Sequence, residues 1–220
     1  MRLSFCDILA QAHPVIPVLS VSRVEDAIPL AEALRDGGLS VLEVTLRTPV
    51  ALDVIKAMKG VPGILVGAGT VIKPGQLNAA AEHGADFAVS PGATESLLLA
   101  AREFSLPFLP GVATASELMQ AIDVGHKCCK LFPAEAAGGV NLLKSLSGPF
   151  PDIQFCPTGG ISPQNATEYL ALDNVPCVGG SWLAPDDLLI KHDWAGIMEL
   201  AKEALRLDHP ENQQFGCRST

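Results

Sequence analysis

Short apolar runs rich in Val, Ile and Cys alternate along the chain with longer stretches in which apolar positions recur every three or four residues. The first pattern is that of buried strands and the second that of amphipathic helices, and their alternation every 20 to 25 residues, roughly, predicts repeated βα units. Eight strands are predicted: VIPVLS from Val15, LSVLEVTL from Leu39, ILVGAGTV from Ile64, FAVSPG from Phe87, FLPGVA from Phe108, CCKLFPA from Cys128, IQFCPTGG from Ile153 and CVGGSWL from Cys177. A helix follows each. Thr48 with Pro49, Thr94, and Ser162 with Pro163 stand where helices begin, and Gly37, Gly84 and Gly125 where helices close before the second, fourth and sixth strands.

Eight parallel strands covered by eight helices close most simply into a (β/α)8 barrel, the α/β TIM barrel. Residues 1–220 are then expected to form a single domain with a short N-terminal helix and a polar C-terminal tail. A doubly wound open sheet is the competitor, but its glycine fingerprint after the first strand is missing from VSRVEDA.

Composition sharpens this picture. Apolar residues make up 48% and charged residues 18%, which excludes intrinsic disorder, while aromatics are only 5% beside 20 glycines, a mix suited to buried parallel strands. The net charge of -9 opposes broad contact with nucleic acid or an anionic membrane. No apolar run approaches the roughly 18 to 20 residues of a membrane span, and Asp7 interrupts the start where a secretory signal would be apolar, so a cytoplasmic location is expected. Six cysteines lack any CxxC, and Cys128, Cys156 and Cys177 lie in apolar runs, where they read as small buried thiols and not as disulfide partners or metal ligands. The five histidines form no HxH or HExxH pair, so neither a metal nor another cofactor is expected.

Three places carry candidate chemistry. In the second strand Glu43, Thr45 and Arg47 share one face while Leu42, Val44 and Leu46 share the other. The charged face points into the barrel mouth, where Glu43 and Arg47 are either a structural ion pair or an acid/base beside an anion-binding arginine. In the sixth strand Lys130 shares its face with Cys128 and Phe132. Desolvation there lowers a lysine's pKa and yields an amine able to attack a ketone; the alternative is a lysine that reaches the rim and pairs with a carboxylate such as Glu135. The seventh and eighth strands end in Thr158-Gly159-Gly160 and Gly179-Gly180-Ser181, where backbone N–H groups can cradle a phosphate. Gly67-Ala68-Gly69-Thr70 either brings a hydroxyl to the mouth or relieves crowding.

The segments VLEVTLRT, VGAGTV, SPG, KLFPAE, FCPTGGISP and GGSWL, over Val15 to Pro185, resemble the 2-keto-3-deoxy-6-phosphogluconate (KDPG) aldolase family, class I lyases of the Entner-Doudoroff pathway. The resemblance implies retro-aldol cleavage of a phosphorylated keto acid to pyruvate and glyceraldehyde 3-phosphate, without metal, in a homotrimer. It implies Lys130 as the Schiff-base lysine and Glu43 as general acid/base. Arg47 and Thr70 would hold the pyruvyl carboxylate, Pro91 and Phe132 would line the pocket, and Thr158 would meet substrate hydroxyls. Gly159, Gly160, Gly180 and Ser181 would bind phosphate. One departure is Ala113 in PGVAT, where relatives often carry serine. The alternatives are a sibling aldolase acting on the galactonate epimer or on 4-hydroxy-2-oxoglutarate, and a silent phosphosugar-binding barrel, which would not need both Lys130 and Glu43. A metal-dependent epimerase or carboxy-lyase would need inward His and Asp at strand ends, which are missing.

Overall fold

The computed structural model describes residues 4–208; the expected polar tail, with Cys217, lies outside them. The chain opens with α1 (Phe5–Gln11) and then alternates strand and helix. The strands are β1 (Val15–Leu19), β2 (Val41–Thr45), β3 (Leu65–Gly69), β4 (Phe87–Val89), β5 (Phe108–Leu109), β6 (Gly111–Val112), β7 (Cys128–Leu131), β8 (Gln154–Pro157) and β9 (Val178–Gly180). Between them run α2 (Ala27–Asp36), α3 (Ala51–Met58), α4 (Pro74–Glu82), α5 (Glu95–Glu103), α6 (Ala115–Asp123), α7 (Ala134–Ala137), α8 (Gly139–Ser147) and α9 (Ala166–Leu170). The pair α10 (Asp186–Lys191) and α11 (Trp194–Ala204) follows β9.

Every strand pair is parallel, in the orders β5-β4-β3-β2-β1-β9 and β6-β7-β8. Nine segments replace the eight expected strands because FLPGVA is divided at Pro110, which has no N–H to give a ladder. On one side of that proline Val89 pairs with Leu109; on the other Gly111 pairs with Lys130. An isolated parallel bridge joins Thr158, just past β8, to Gly179 of β9. The fold is thus α/β with a curled parallel sheet, both faces of which are buried.

Each face has its own core. Leu42, Val44, Val66, Ala68, Cys129 and Leu131 project outward into a large apolar cluster with Leu30, Leu34, Ile55, Met58 and Leu97 of the covering helices. Ile16, Val41, Val89, Leu109, Cys128 and Cys156 project inward, and Phe5, Ile8 and Leu9 of α1 pack against them at the strands' N-terminal end. A helix of 7 residues is too short to persist alone. Burial of those three side chains, worth about 1.5–3 kcal/mol each, holds it there, assisted by a capping box in which Ser4 Oγ accepts from the Asp7 amide at 3.2 Å and the Asp7 carboxylate accepts from the Ser4 amide at 2.9 Å.

Some expected helix boundaries shift. Thr94 caps α5 as anticipated, accepting from the Leu97 amide, but Thr48 spends its hydroxyl on the Val21 carbonyl and α3 begins three residues later. Ser162 likewise cedes the cap of α9 to Asn165. Gly84 and Gly125 take the left-handed backbone after α4 and α6, whereas after α2 that role falls to Gly38, not Gly37.

Candidate active site

Lys130 and Glu43 meet across the inside of the curled sheet. Lys130 sits on β7 and Glu43 on β2, strands of different sheet segments, yet Lys130 Nζ donates to Glu43 Oε1 at 3.2 Å and to Oε2 at 3.4 Å. The two side chains are only 6% and 5% exposed. An isolated charge so buried costs on the order of several kcal/mol, and each group is the other's compensation. This decides two alternatives left open by the sequence: Glu43 pairs with Lys130 and not with Arg47, and Lys130 does not reach Glu135. Strand parity tells which face a residue takes, not which strand its side chain meets across the interior.

The neighbours of the pair are shaped for it. A Cβ on Gly69 would stand 2.2 Å from Glu43 Oε1, so β3 lacks a side chain where the carboxylate lies. The same strand makes room for the Phe87 ring at Gly67, where a Cβ would come within 2.0 Å of that ring. Phe132 presents its ring with the centroid 5.4 Å from Lys130 Nζ, an arrangement favourable to the ammonium. Pro91 abuts Gly111, the register partner of Lys130: a Cβ there would be 2.3 Å from the Pro91 carbonyl carbon.

Arg47 leaves the end of β2 exposed, its Nε donating to Thr45 Oγ1 at 3.0 Å, and Thr45 Oγ1 donates in turn to the Leu19 carbonyl at 2.8 Å. Among the described residues no carboxylate pairs with Arg47, so its fork is available to an anion. Thr70 begins the neighbouring loop with φ 60°, uncommon for a residue with a branched Cβ, directly after Gly69, the register partner of Thr45.

Thr158 is 7% exposed, and its hydroxyl donates to the Cys156 carbonyl at 3.5 Å. Gly159 and Gly160 follow with φ 96° and 81°. The space beside Gly159 is filled by the Phe132 ring, 3.2 Å from where a Cβ would be, which links this loop to the lysine. Carbonyls of Thr158 and Gly159 accept from the amides of Ala134 and Glu135, while the amides of Gly160 and Ser181 donate to nothing among the described residues. Gly180 packs under the Trp182 ring, and Ser181 is exposed. The arrangement offers unspent backbone donors at the ends of β8 and β9.

Two contributors were not anticipated. Glu135 accepts a hydrogen bond from Tyr169 Oη, so the carboxylate considered as the lysine's partner ties α7 to α9 beside the glycine loop. Ser90, fully buried, accepts from the Gly111 amide at 3.1 Å and so satisfies a donor that the interrupted ladder beside Pro110 leaves over. The SPG motif marks that stretch of sequence, but nothing in it tells that the serine hydroxyl faces a strand amide.

Among the described residues no group of three or more His, Cys, Asp or Glu side chains could hold a metal ion, and no helix is long and apolar enough to cross a membrane. One cysteine expectation fails outright: Cys128 is a disulfide partner of Cys6, while Cys129, Cys156 and Cys177 are buried free thiols. Cys6 lies on α1, and its approach to β7 depends on that helix turning under the sheet, which spacing cannot reveal.

A buried amine against a carboxylate on the inside of a parallel sheet suits covalent chemistry on a carbonyl, and the proteins this chain resembles are aldolases, which are lyases. A family model described as KDPG and KHG aldolase matches residues 7–200, and the chain belongs to that family. It is 54% identical over 205 residues to the 2-dehydro-3-deoxy-phosphogluconate aldolase of Pseudoalteromonas atlantica, covering 93% of this chain and 95% of that one. With the KHG/KDPG aldolase of Escherichia coli strain K12 it shares 55% over 193 residues, 87% of this chain and 91% of that one. A crystal structure of the KDPG aldolase of Legionella pneumophila, with pyruvate captured as a covalent carbinolamine intermediate, superimposes with a TM-score of 0.87 at 51% identity, covering 89% and 96% of the two chains. The Zymomonas mobilis ZM4 enzyme with 3-phosphoglycerate gives 0.88 at 48%, covering 93% and 96%.

Proposed function

We propose that the protein cleaves 2-keto-3-deoxy-6-phosphogluconate reversibly to pyruvate and glyceraldehyde 3-phosphate through a Schiff base on Lys130. The observation that carries this reading is the buried contact of 3.2 Å between Lys130 Nζ and Glu43 Oε1. One proton passed along that contact leaves a neutral amine and a protonated carboxyl, the two forms the first step needs. The amine attacks the C2 ketone, Glu43 returns the proton to the departing hydroxyl, and water leaves to give the iminium. Deprotonation of the C4 hydroxyl breaks the C3–C4 bond, whose electron pair flows into the iminium and leaves an enamine. Glyceraldehyde 3-phosphate departs; protonation at C3 and hydrolysis release pyruvate and restore the amine.

Arg47 and Thr70 hold the pyruvyl carboxylate, Pro91 and Phe132 wall the pocket, and Thr158 meets a substrate hydroxyl. The phosphate lies against the loops of Gly159, Gly160, Gly180 and Ser181, where the amides of Gly160 and Ser181 are unspent. This loop favours the phosphorylated substrate over 4-hydroxy-2-oxoglutarate, whose distal group is a carboxylate. The curved segments belong to one closed eight-stranded barrel in a single domain, a reading supported by the continuity of β5 and β6 through Pro110 and by the Thr158–Gly179 bridge. A homotrimer in the cytoplasm is part of the same proposal.

Pyruvate and borohydride together test it: peptide mapping is expected to find one three-carbon adduct, on Lys130, and an adduct on another lysine, or none, defeats the mechanism. Gly160→Val separates the phosphate site from the amine. It is expected to raise KM for the phosphorylated substrate about tenfold or more, the equivalent of about 1.4 kcal/mol of binding free energy, while pyruvate still traps on Lys130. Equal loss in both assays would place the phosphate elsewhere or signal misfolding.

A further inference from the structure

The disulfide between Cys6 and Cys128 closes a loop of 122 residues and ties α1 to the strand that carries Lys130. A domain with two large apolar cores has no need of such a staple, and disulfides that occur in reducing compartments commonly serve redox sensing or catalysis. Its two sulfurs differ in access. Cys128 is 2% exposed, whereas Cys6 is half-buried and borders two cavities at the closed end of the strands. One, of about 640 Å³, is also lined by Lys127 and Lys144 but balances them with Asp152 and Asp173; the other, of about 520 Å³, is lined by Arg102, His126 and Lys127 and by no carboxylate.

Lys127 lines both cavities, and in the second it stands with Arg102 and no opposing carboxylate. Cations so placed concentrate an anionic thiol near the sulfur and favour the thiolates that exchange must pass through. The remaining described cysteines are poor targets. Burial pushes the Cys129 thiol up to about 12, and the Cys177 thiol is raised by its contact with Cys156 Sγ at 3.9 Å and by burial.

We propose that the Cys6–Cys128 disulfide is a thiol–disulfide exchange site for a small anionic monothiol, a peptide of the glutathione type, entering from the closed end. The incoming thiolate attacks Cys6 Sγ; the S–S bond breaks with its electron pair on Cys128 Sγ, which takes up a proton, and Cys6 is left in a mixed disulfide. A second thiolate attacks the peptide's sulfur in that mixed disulfide and releases Cys6 as a thiolate. Two monothiols are oxidised to one small disulfide as the protein pair gains two electrons. Exchange unties α1 from β7 two residues short of Lys130 and leaves the amine untouched, so the redox state sets stability and not chemistry.

The test uses the full chain with Cys217→Ser, which removes the thiol outside the described residues. Reduced glutathione is added, the reaction is stopped with acid at intervals, and peptides are mapped without reductant. The first adduct is expected on Cys6 with Cys128 free, and full reduction is expected to lower Tm by about 10 °C, the scale for opening a loop of this length, with aldol cleavage at 25 °C unchanged. Cys6→Ser is expected to start at the reduced Tm and to ignore reductant. Lys127→Glu is expected to slow exchange with glutathione several-fold at low salt while leaving the rate with uncharged 2-mercaptoethanol alone. Free Cys6 and Cys128 in protein isolated without reductant would overturn the proposal, as would a first adduct on any other cysteine, a Cys6→Ser variant still sensitive to reductant, or a Lys127→Glu effect equal for both thiols.

Discussion

At the closed end of the strands the inner face meets α1, and Phe5, Ile8 and Leu9 fill the space against Ile16, Val41, Phe87, Cys128 and Cys156 with no charged side chain among them. One pleat repeat further along the same strands Val41 gives way to Glu43, Cys128 to Lys130 and Cys156 to Thr158, all buried and all on the same face. A rise of about 7 Å thus separates a dry apolar layer from a reactive one. The lower layer closes the interior to water beneath the pair, so Lys130 and Glu43 must satisfy each other until a substrate arrives. Stability is concentrated at one end and chemistry at the other, on shared strands, and substitutions at the two ends are expected to separate those properties.

The largest separation is expected at the mouth itself. Lys130→Ala removes the nucleophile and is expected to lower kcat/KM by about 10⁴-fold or more, the scale on which enzymes lose a covalent nucleophile. It also leaves Glu43 buried without its cation, so a fall in Tm is expected alongside; a variant that kept its turnover would move the chemistry to another residue. Gly69→Ala follows. Its Cβ would sit 2.2 Å from Glu43 Oε1 and 2.6 Å from Glu43 Cγ, forcing the carboxylate aside by about an ångström, a misplacement that costs on the order of 10²-fold in rate. Turnover measured beside Tm distinguishes this from unfolding: unchanged kcat in a folded variant would show that the position of Glu43 does not matter.

What the chain makes legible follows from parity. A lysine inside an apolar strand, an acid and an arginine on one strand face, and glycine pairs at two strand ends are local patterns, and they locate Lys130, Glu43, Arg47 and the Gly159-Gly160 loop on the faces where the structure has them. Partnership is not local. The residues that meet Glu43 are 87 positions away on β7 and, at Gly69, on the neighbouring strand, and only the curl of the sheet decides that Lys130 and not Arg47 answers the carboxylate. The same holds for Cys6 and Cys128, joined because α1 turns under the sheet. Pro110 is a different case. A proline in the middle of FLPGVA is itself a sign that the ladder is interrupted, so the division into β5 and β6 is written in the sequence.

The smallest expected effect belongs to the closed end. Ile8 is fully buried on α1, in the apolar inner cluster that lies one layer below the amine. Ile8→Val removes one methylene without adding a polar atom or changing the β-branched shape, a substitution that costs about 0.5–1.5 kcal/mol in a packed core. For a chain of this size that is expected to lower Tm by about 2–4 °C, measured under identical redox conditions so that the Cys6–Cys128 bond contributes equally to both proteins. Turnover at 25 °C and trapping of pyruvate on Lys130 are expected to stay at wild-type levels, because Glu43 and Lys130 are held by their own strands and by each other. A variant with unchanged Tm but slowed turnover would reverse the division, tying the apolar plug to the geometry of the pair one layer above and making α1 part of the catalytic apparatus.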